Sequence, residues 1–498
     1  MSSPTDPLLY QVNTRPFLTD LGRRLGRTAT LDDISDETLD RWAGLGFDWI
    51  WMLSVWQTGL ASREVSRTNP LWRSGFQKTL PDFTDDDIPG SGFAITGYTV
   101  HQSLGGNAAL ARLRSRMAKR GLKLMLDFVP NHTALDHPWV ESHPDYYIAG
   151  TETLLQEQPQ NYIRLKSPGG ERVLAYGRDP YFPGWPDALQ LDYANPAVQV
   201  AMTHELLAIA RLCDGVRCDM AMLVLPDVFE RTWGRRPDLF WPLAIQNVKA
   251  ASPGFQFMAE VYWDLEWTLQ QQGFDYTYDK RLYDRLRERN VDAIRGHFRA
   301  DVAFQKKLAR FLENHDEPRA AATFPHGPHE AAAVITFFAT GLRFFQDGQF
   351  EGRRVHLSPH LGRAPLEPVD TELAAFYARL LDVLKRPLFR TGHWQLLDCT
   401  PAWDHNWTND CFVACRWMST DGQQAIVVVN HADHQSQCYV KLRDLVSTSH
   451  GWRLTDLFSG DSYDRKGSEL AAIGLYIDAA PWKASVFWME PLEKSART

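Results

Sequence analysis

Short apolar runs alternate with longer amphipathic stretches over roughly the first 390 residues of the chain. The apolar runs predict β-strands over 8–15, 48–55, 122–129, 215–219, 256–261, 275–278, 310–313 and 342–345. Helical periodicity is clearest over 108–119, 196–211, 279–288 and 371–384. Eight strands that alternate with helices predict an α/β fold, an eight-stranded parallel β/α barrel.

Two regions break this alternation. Residues 133–192 are rich in Pro, Gly, Asp and Tyr without a helical period, which predicts an inserted subdomain after the third strand. After residue 390, the stretches 411–417, 424–430, 438–442 and 483–489 predict an antiparallel β domain. The predicted domains are a barrel made of 1–132 and 193–390, the inserted subdomain 133–192, and a C-terminal β-sandwich-like domain over 391–498.

Composition narrows the class of protein. The chain has 498 residues, 44% hydrophobic and 23% charged, which is ordinary for a globular protein of more than one domain. Its net charge of -8 argues against a nucleic-acid partner, because a phosphate backbone selects basic surfaces. The six cysteines form no CxxC pair, and neither a secretion signal nor a run of eighteen apolar residues occurs. We therefore expect a cytoplasmic protein without a membrane partner, in an oligomeric state that the sequence leaves open.

Ionisable residues follow four of the predicted strands at the point where each strand ends. The segments are DFVPNH at 127–132, GVRCD at 215–219, AE at 259–260 and ENHD at 313–316. In a parallel barrel these ends meet on one rim, where chemistry takes place. A single acid there is usually a helix cap, but several clustered acids oppose each other's ionisation. Such a cluster is what acid–base work on a glycosidic bond requires.

The same four segments resemble the short conserved regions of the α-amylase family of glycoside hydrolases. The matching stretches are DFVPNH at 127–132, GVRCDMAM at 215–222, AEVY at 259–262 and FLENHD at 311–316, in the family's order. The insertion after the third strand and the β tail extend the resemblance over nearly the whole chain. The resemblance implies cleavage of α-glucosidic bonds with retention of anomeric configuration.

The resemblance also implies roles for individual carboxylates. Asp219 matches the nucleophile, which forms a covalent glycosyl-enzyme intermediate. Glu260 matches the general acid/base, and Asp316 matches a third carboxylate that grips sugar hydroxyls. Arg217 precedes Asp219 by two residues, so on a strand both side chains share one face, and its charge would keep Asp219 ionised.

Five further residues are candidates for substrate contact or support. His132 and His315 match histidines that bind sugar hydroxyls in the family. Asp127 is expected to support the rim through hydrogen bonds. Phe93 stands where the family usually has a tyrosine that stacks on the reactive sugar, and Tyr262 could line the leaving-group side.

One stretch departs from the family pattern. Many α-amylases carry Lys-His shortly after the nucleophile, where the histidine backbone helps to hold calcium and the lysine meets the leaving group. Here that stretch reads MAMLV at 220–224, although Asn131 matches one calcium-ligand position. An Asp-x-Asp-x-Asp-Gly loop is also missing from the sequence. We expect no cofactor and no required metal, with calcium a doubtful possibility.

Three functions are compatible with these motifs. The leading hypothesis is a retaining hydrolase that acts on α-linked oligosaccharides or α-glucans. The second is a transglycosylase or phosphorylase-type glycosyltransferase, which would use the same residues with another acceptor. The third is a catalytically dead binding or scaffold relative, which the presence of Asp219, Glu260 and Asp316 disfavours. The exact sugar, linkage, chain length and acceptor are not encoded in these motifs.

Overall fold

A computed structural model of the protein describes residues 4–167, 170–443 and 446–492. The strands are β1 (Leu8–Asn13), β2 (Trp49–Leu53), β3 (Trp56–Thr58), β4 (Ile95–Val100), β5 (Lys123–Phe128), β6 (His132–Ala134), β7 (Tyr162–Ser167), β8 (Gly170–Gly177), β9 (Trp185–Gln190), β10 (Gly215–Cys218), β11 (Gln256–Ala259), β12 (Tyr276–Tyr278), β13 (Leu308–Arg310), β14 (Leu342–Gln346), β15 (His393–Leu397), β16 (Cys399–Pro401), β17 (Phe412–Met418), β18 (Gln424–Asn430), β19 (Ser436–Val440), β20 (Gly451–Asp456), β21 (Ser462–Lys466), β22 (Leu475–Ala479) and β23 (Ala484–Pro491).

The helices are α1 (Thr14–Leu25), α2 (Asp36–Gly44), α3 (Leu60–Thr68), α4 (Pro70–Thr79), α5 (Gly106–Ala118), α6 (Trp139–Ser142), α7 (Glu152–Glu157), α8 (Pro196–Ile209), α9 (Pro226–Trp233), α10 (Trp241–Ala251), α11 (Glu266–Gln271), α12 (Lys280–Arg287), α13 (Val291–Phe298), α14 (Val302–Lys306), α15 (Ala320–Thr323), α16 (His326–Phe337), α17 (Thr371–Leu384), α18 (Leu388–Thr391) and α19 (Gly467–Ala472).

The predicted barrel is confirmed. Its strands close in the order β1-β14-β13-β12-β11-β10-β5-β2, and β10 pairs in parallel with both β5 and β11. The registers of β10 fix the site, since Arg217 lies opposite Asp127 on β5 and opposite Met258 on β11. Neighbouring strands lie about 4.8 Å apart. Side chains at the ends of the adjacent strands β5, β10 and β11 can therefore lie within a few ångströms of each other.

Several strand limits differ from the prediction, and the second and fifth barrel strands end at Leu53 and Ala259 rather than at residues 55 and 261. The first strand ends at Asn13 rather than at residue 15, because α1 begins at Thr14 and contains Pro16 in its first turn, where proline is favoured. The seventh strand is Leu308–Arg310 rather than 310–313. There Glu313 lies beyond the strand, and its carboxylate accepts a hydrogen bond from the backbone N–H of Ala320 (2.6 Å).

The inserted region after the third barrel strand is more regular than its sequence suggested. It contains a four-stranded antiparallel sheet in the order β6-β9-β8-β7, together with the short helices α6 and α7. The pairing of β6 with β9 brings Gln190 opposite His132, the first residue of β6. The sheet therefore connects the inserted segment directly to a predicted site residue.

The C-terminal region is antiparallel, as predicted. A six-stranded sheet (β15-β17-β18-β23-β20-β21) and a three-stranded sheet (β16-β19-β22) share one apolar core. Ile426 and Val428 of the larger sheet and Cys438 and Val440 of the smaller sheet are buried in it. Buried and partly exposed residues alternate along β19, as expected for an antiparallel strand with one solvated face, whereas β17 and β18 are buried along nearly their whole length.

The chain divides into two compact units. The first comprises Leu9–Tyr278 with Val355–Leu366, and within it Arg363 forms ion pairs with Asp82 and Asp87. The second is built around Asp279–Arg354 and the C-terminal β domain. Among the described residues, none of the helices combines the length and apolar character that a membrane span needs.

Asp6 provides a test of the packing inside the second unit. Its buried carboxylate accepts hydrogen bonds from the hydroxyl of Thr340 (2.6 Å) and the backbone N–H of Gly341 (2.7 Å). Asp6→Ala leaves both buried donors without this acceptor, so we expect the free energy of unfolding to fall by about 2–5 kcal/mol. Denaturant unfolding measures the loss. The exposed control Asp404→Ala should change stability by less than about 0.5 kcal/mol, and an equal loss in both variants would contradict this role for Asp6.

Candidate active site

The guanidinium of Arg217 lies at the centre of the candidate site. One terminal nitrogen donates a hydrogen bond to Oδ1 of Asp219 (2.6 Å), and the other donates to Oε2 of Glu260 (2.6 Å). Arg217 is fully buried, and the two carboxyl groups are almost as deeply buried. A single planar cation therefore orients both carboxylates through charge-assisted hydrogen bonds.

The backbone after β10 adds a further donor to Glu260. Met220, directly after Asp219, has a φ of 42°, in the left-handed region that side chains other than glycine rarely adopt. In this conformation its N–H donates to Oε2 of Glu260 (2.7 Å). The strained residue thus lies between the two carboxylates, where such strain is usually functional.

Tyr262 contacts the other oxygen of the same carboxyl group. Its hydroxyl donates to Oε1 of Glu260 at 2.8 Å. Together with Arg217 and the Met220 N–H, this contact gives Glu260 donors on both oxygens. The structure therefore brings Tyr262 into the site through its hydroxyl group.

Asp127 on β5 lies behind this pair. Its carboxylate accepts hydrogen bonds from the indole of Trp51 (3.1 Å) and the backbone N–H of Ser54 (2.8 Å), and it lies 4.0 Å from Arg217. Burial raises the pKa of Asp127 to about 7, against the opposing effect of the Arg217 charge. These contacts place Asp127 as a support of the guanidinium.

Aromatic rings surround the guanidinium. The Cζ atom of Arg217 lies 5.4 Å from the ring centroid of Trp51, 5.2 Å from that of Phe93 and 5.9 Å from that of Tyr278. Burial alone would lower the pKa of Arg217, but the charge of Glu260 leads the effects that hold this pKa well above its usual value. The cation is thus permanently charged at a fully buried position.

His132 belongs to the same unit and is also buried. Its ring lies 5.2 Å from the ring of Trp185 in the inserted sheet. Burial lowers the pKa of His132, although the charge of Asp219 acts in the opposite direction. The lowered pKa favours a neutral imidazole, whose Nδ1 lies 3.5 Å from the carboxamide nitrogen of Asn131.

The remaining two predicted residues belong to the second unit. Asp316 and His315 follow β13 in the loop after residue 310, and His315 Nε2 lies 3.2 Å from Oδ2 of Asp316. The side chain of Asn314 fixes the loop, because its Oδ1 accepts hydrogen bonds from the backbone N–H groups of Asp316 and Glu317 (both 2.9 Å). The Asp316 side chain is 41% exposed, so it is open to a ligand.

The calcium-ligand match at Asn131 has another partner. Its carboxamide exchanges hydrogen bonds with that of Gln190, which donates to Asn131 Oδ1 at 2.9 Å and accepts from Nδ2 at 3.1 Å. Over the described ranges, no group of three or more His, Cys, Asp or Glu residues is arranged to hold a metal ion. The Asn131 side chain is thus engaged by Gln190, and the expectation of no required metal stays a prediction.

Two contributors to the site were not found in the sequence. Tyr278 ends β12, and its hydroxyl accepts a hydrogen bond from Nε of Arg217 (3.3 Å). Its position at the end of a predicted strand was the available signal. The Met220 N–H had no such signal, because backbone direction depends on a dihedral angle that the residue type does not reveal.

Comparison with known proteins decides the family. Residues 26–352 match the family model described as the α-amylase catalytic domain, which is well over half of the chain. The chain belongs to the α-amylase family.

The sequence similarity to individual members of the α-amylase family is low and covers only part of each protein. The chain is 26% identical to the α-amylase MalA of Haloarcula japonica over 362 residues, covering 70% of the chain and 44% of that protein. It is 33% identical over 147 residues to an α-1,4-glucan:maltose-1-phosphate maltosyltransferase of Salinibacter ruber, covering 27% of the chain and 20% of that protein. The matched regions thus span less than half the length of either relative.

A solved structure agrees with the family fold. The maltogenic α-amylase AmyB of Thermotoga neapolitana superposes with a TM-score of 0.69, covering 98% of this chain and 99% of that one. The sequence identity is 18%, so this likeness concerns the fold.

The free energy of unfolding of an Arg217 variant tests whether this cation neutralises the buried carboxylates around it. Arg217→Met leaves the neighbouring carboxylates buried without their cation, so we expect the free energy of unfolding at pH 8 to fall by about 3–5 kcal/mol. At pH 5 the loss should be smaller, because these carboxyl groups can then take up protons and become neutral. Denaturant unfolding at both pH values, relative to wild type, measures the difference. The exposed control Arg24→Met should lose little at either pH, and a pH-independent loss in Arg217→Met would contradict the charge explanation.

Proposed function

We propose that the protein is a retaining glycoside hydrolase that cleaves α-glucosidic bonds in oligosaccharides or α-glucans. The observation that carries this proposal is the single guanidinium of Arg217 bonded to both Asp219 and Glu260. Its two terminal nitrogens share one carbon, so the two carboxyl groups are held a few ångströms apart. Retaining glycosidases need their two carboxyl groups about 5–5.5 Å apart. Membership of the α-amylase family supports the α-glucosidic substrate.

In the first step, an oxygen of Asp219 attacks the anomeric carbon and forms a glycosyl ester. The bond from that carbon to the glycosidic oxygen breaks, and the proton of Glu260 passes to this oxygen. The leaving sugar departs with a hydroxyl group, and Glu260 becomes a carboxylate. Arg217 and the Met220 N–H then stabilise the negative charge that has formed on Glu260.

In the second step, Glu260 takes a proton from water, and the resulting hydroxide oxygen attacks the anomeric carbon from the face that the leaving group vacated. The ester bond to Asp219 breaks, and Asp219 leaves as a carboxylate bonded to Arg217. Two inversions at the same carbon give net retention. The site returns to its starting protonation state.

Other residues would bind the sugar. The family resemblance gives Asp316 the role of a third carboxylate, and it gives His132 and His315 that of hydrogen-bond partners for sugar hydroxyls. Phe93 lacks the hydroxyl of the family's usual tyrosine but offers a ring that already packs against Arg217. These four assignments are part of the proposal.

Transfer to a sugar or to phosphate would use the same two steps with another acceptor in place of water. The similarity to the Salinibacter ruber maltosyltransferase over 147 residues keeps this possibility within the family. Hydrolysis needs only water as the acceptor, so we place it first. The ratio of transfer product to hydrolysis product at high acceptor concentration separates the two activities.

Product stereochemistry tests the central proposal. Proton NMR of a maltotriose digest should show the α-anomer first, with the β-anomer appearing only through mutarotation. This order follows from two successive displacements at one carbon. Initial release of the β-anomer would rule out a covalent intermediate on Asp219.

The division of roles between the carboxylates is a second test. Glu260→Gln cannot protonate a sugar oxygen, so kcat/KM for maltotriose should fall by about 10²–10⁴-fold. Fluoride leaves without that proton, so kcat/KM for α-glucosyl fluoride should fall much less. Asp219→Asn should abolish turnover of both substrates, because the nucleophile is needed in each case. Equal losses on both substrates in Glu260→Gln would show that Glu260 is not the acid.

A further inference from the structure

Two aromatic rings and a cation lie beside the segment that carries Glu260. The rings of Tyr181 and Trp263 meet edge to face with centroids 5.0 Å apart. The Cζ atom of Arg231 lies 5.4 Å from the first ring and 6.0 Å from the second. We name these three residues the rim cluster. They come from the inserted segment, from the loop that follows β11, and from α9.

The backbone of the rim cluster is fixed although its side chains are accessible. Trp263 and Asp264 have φ values of 66° and 62°, two consecutive left-handed residues that are not glycine. Such strain persists only where the surroundings enforce it, and it is concentrated at binding and catalytic sites. The N–H of Tyr181 donates to Oδ1 of Asp179 (2.6 Å), while Tyr181 is 57% exposed. A fixed, exposed ring is suited to stacking on a flat ligand.

The cation of the rim cluster has no ion pair among the residues that the structure describes. Its guanidinium lies instead against the rings of Tyr181 and Trp263. The nearby acids have other partners, since Asp227 and Glu230 bind Arg236 and Asp179 accepts backbone N–H groups. Arg178 adds a second positive charge nearby, because it donates to the carbonyl oxygen of Thr232.

The position of the rim cluster follows from the chemistry of Glu260. As the acid, this residue must contact the glycosidic oxygen, and the leaving sugar continues from that oxygen. Trp263 follows Glu260 by three residues, and Tyr262 between them is bonded to the carboxyl group. The rim cluster therefore lies on the leaving-group side of the proposed site.

We propose that the rim cluster is the leaving-group subsite and that it takes a sugar carrying an oxyanion, either a phosphate or a carboxylate. This inference rests on the proposed function. Tyr181 and Trp263 contact the apolar faces of the sugar ring, and Arg231 binds the oxyanion through charge-assisted hydrogen bonds. An uncharged sugar would use only the rings and leave the cation to water.

The experiment uses α-glucosyl fluoride, whose leaving group is too small to occupy this subsite. Glucose, glucose 6-phosphate and glucuronate are added separately, and the concentration that half-maximally changes fluoride release is measured for each, whether by inhibition or by transfer. We expect that concentration to be roughly tenfold lower for one of the anionic sugars than for glucose. The better of the two identifies phosphate or carboxylate as the preferred oxyanion.

Variants separate the two parts of the subsite. Arg231→Met should remove the preference for the anionic sugar while leaving the response to glucose within about twofold. Trp263→Asn should raise the half-maximal concentration of all three sugars by roughly tenfold, because the stacking ring is lost. Asparagine is chosen because it tolerates the left-handed backbone. The control Arg24→Met, which removes an exposed arginine on α1, should change none of these values. Each value is taken relative to the turnover of α-glucosyl fluoride by the same variant without added sugar, so that a change in basal activity does not enter the comparison.

Several outcomes would overturn the inference. Equal response to glucose and to both anionic sugars would exclude the oxyanion, and an unchanged response in Trp263→Asn would exclude the stacking. Inorganic phosphate acting as strongly as glucose 6-phosphate would show a bare anion site. In each of these cases α-glucosyl fluoride is still turned over, so the proposed function stands. Failure of wild-type enzyme to turn over α-glucosyl fluoride or any α-glucoside would instead overturn the proposed function, and the subsite with it.

Discussion

The buried guanidinium of Arg217 holds the candidate site together. A fully buried cation is costly unless carboxylates surround it, and carboxylates this close to each other are costly without a cation. Three adjacent barrel strands solve both problems, since β5, β10 and β11 deliver Asp127, Asp219 and Glu260 to the same guanidinium. The strand register therefore fixes the electrostatics as well as the geometry.

The strained residues follow from the same constraint. Glu260 has hydrogen-bond donors on both oxygens, two from the side chains of Arg217 and Tyr262 and one from the backbone. The left-handed backbone at Met220 turns a main-chain N–H toward this carboxylate, and the left-handed pair at Trp263 and Asp264 turns the next loop. The stable barrel beneath can carry this local cost, because its strands are buried and closed.

The chain belongs to the α-amylase family but departs from the pattern of many members directly after Asp219. The Lys-His that many members carry after the nucleophile is replaced by an apolar stretch from Met220 to Val224 that is largely buried. A positive charge is nevertheless present in α9, where Arg231 lies against two aromatic rings. The cation of the proposed leaving-group subsite therefore comes from α9 and not from the stretch that follows Asp219.

The barrel, the antiparallel C-terminal region and the identity of the chemical groups could all be predicted from the residues in order. Hydrophobic alternation is a local property, and the acids at strand ends, such as Asp219 and Glu260, could be found because strand ends share one rim. Strand limits were less accurate, since α1 begins at Thr14 within the first predicted strand and Glu313 lies beyond the end of β13. The folded chain was needed to show that Tyr278 and the Met220 N–H complete the site, and that Tyr181, Arg231 and Trp263 meet. Some of these contacts join residues that are distant in sequence, and others depend on backbone dihedral angles. The type of a residue predicts neither its distant neighbours nor its dihedral angles.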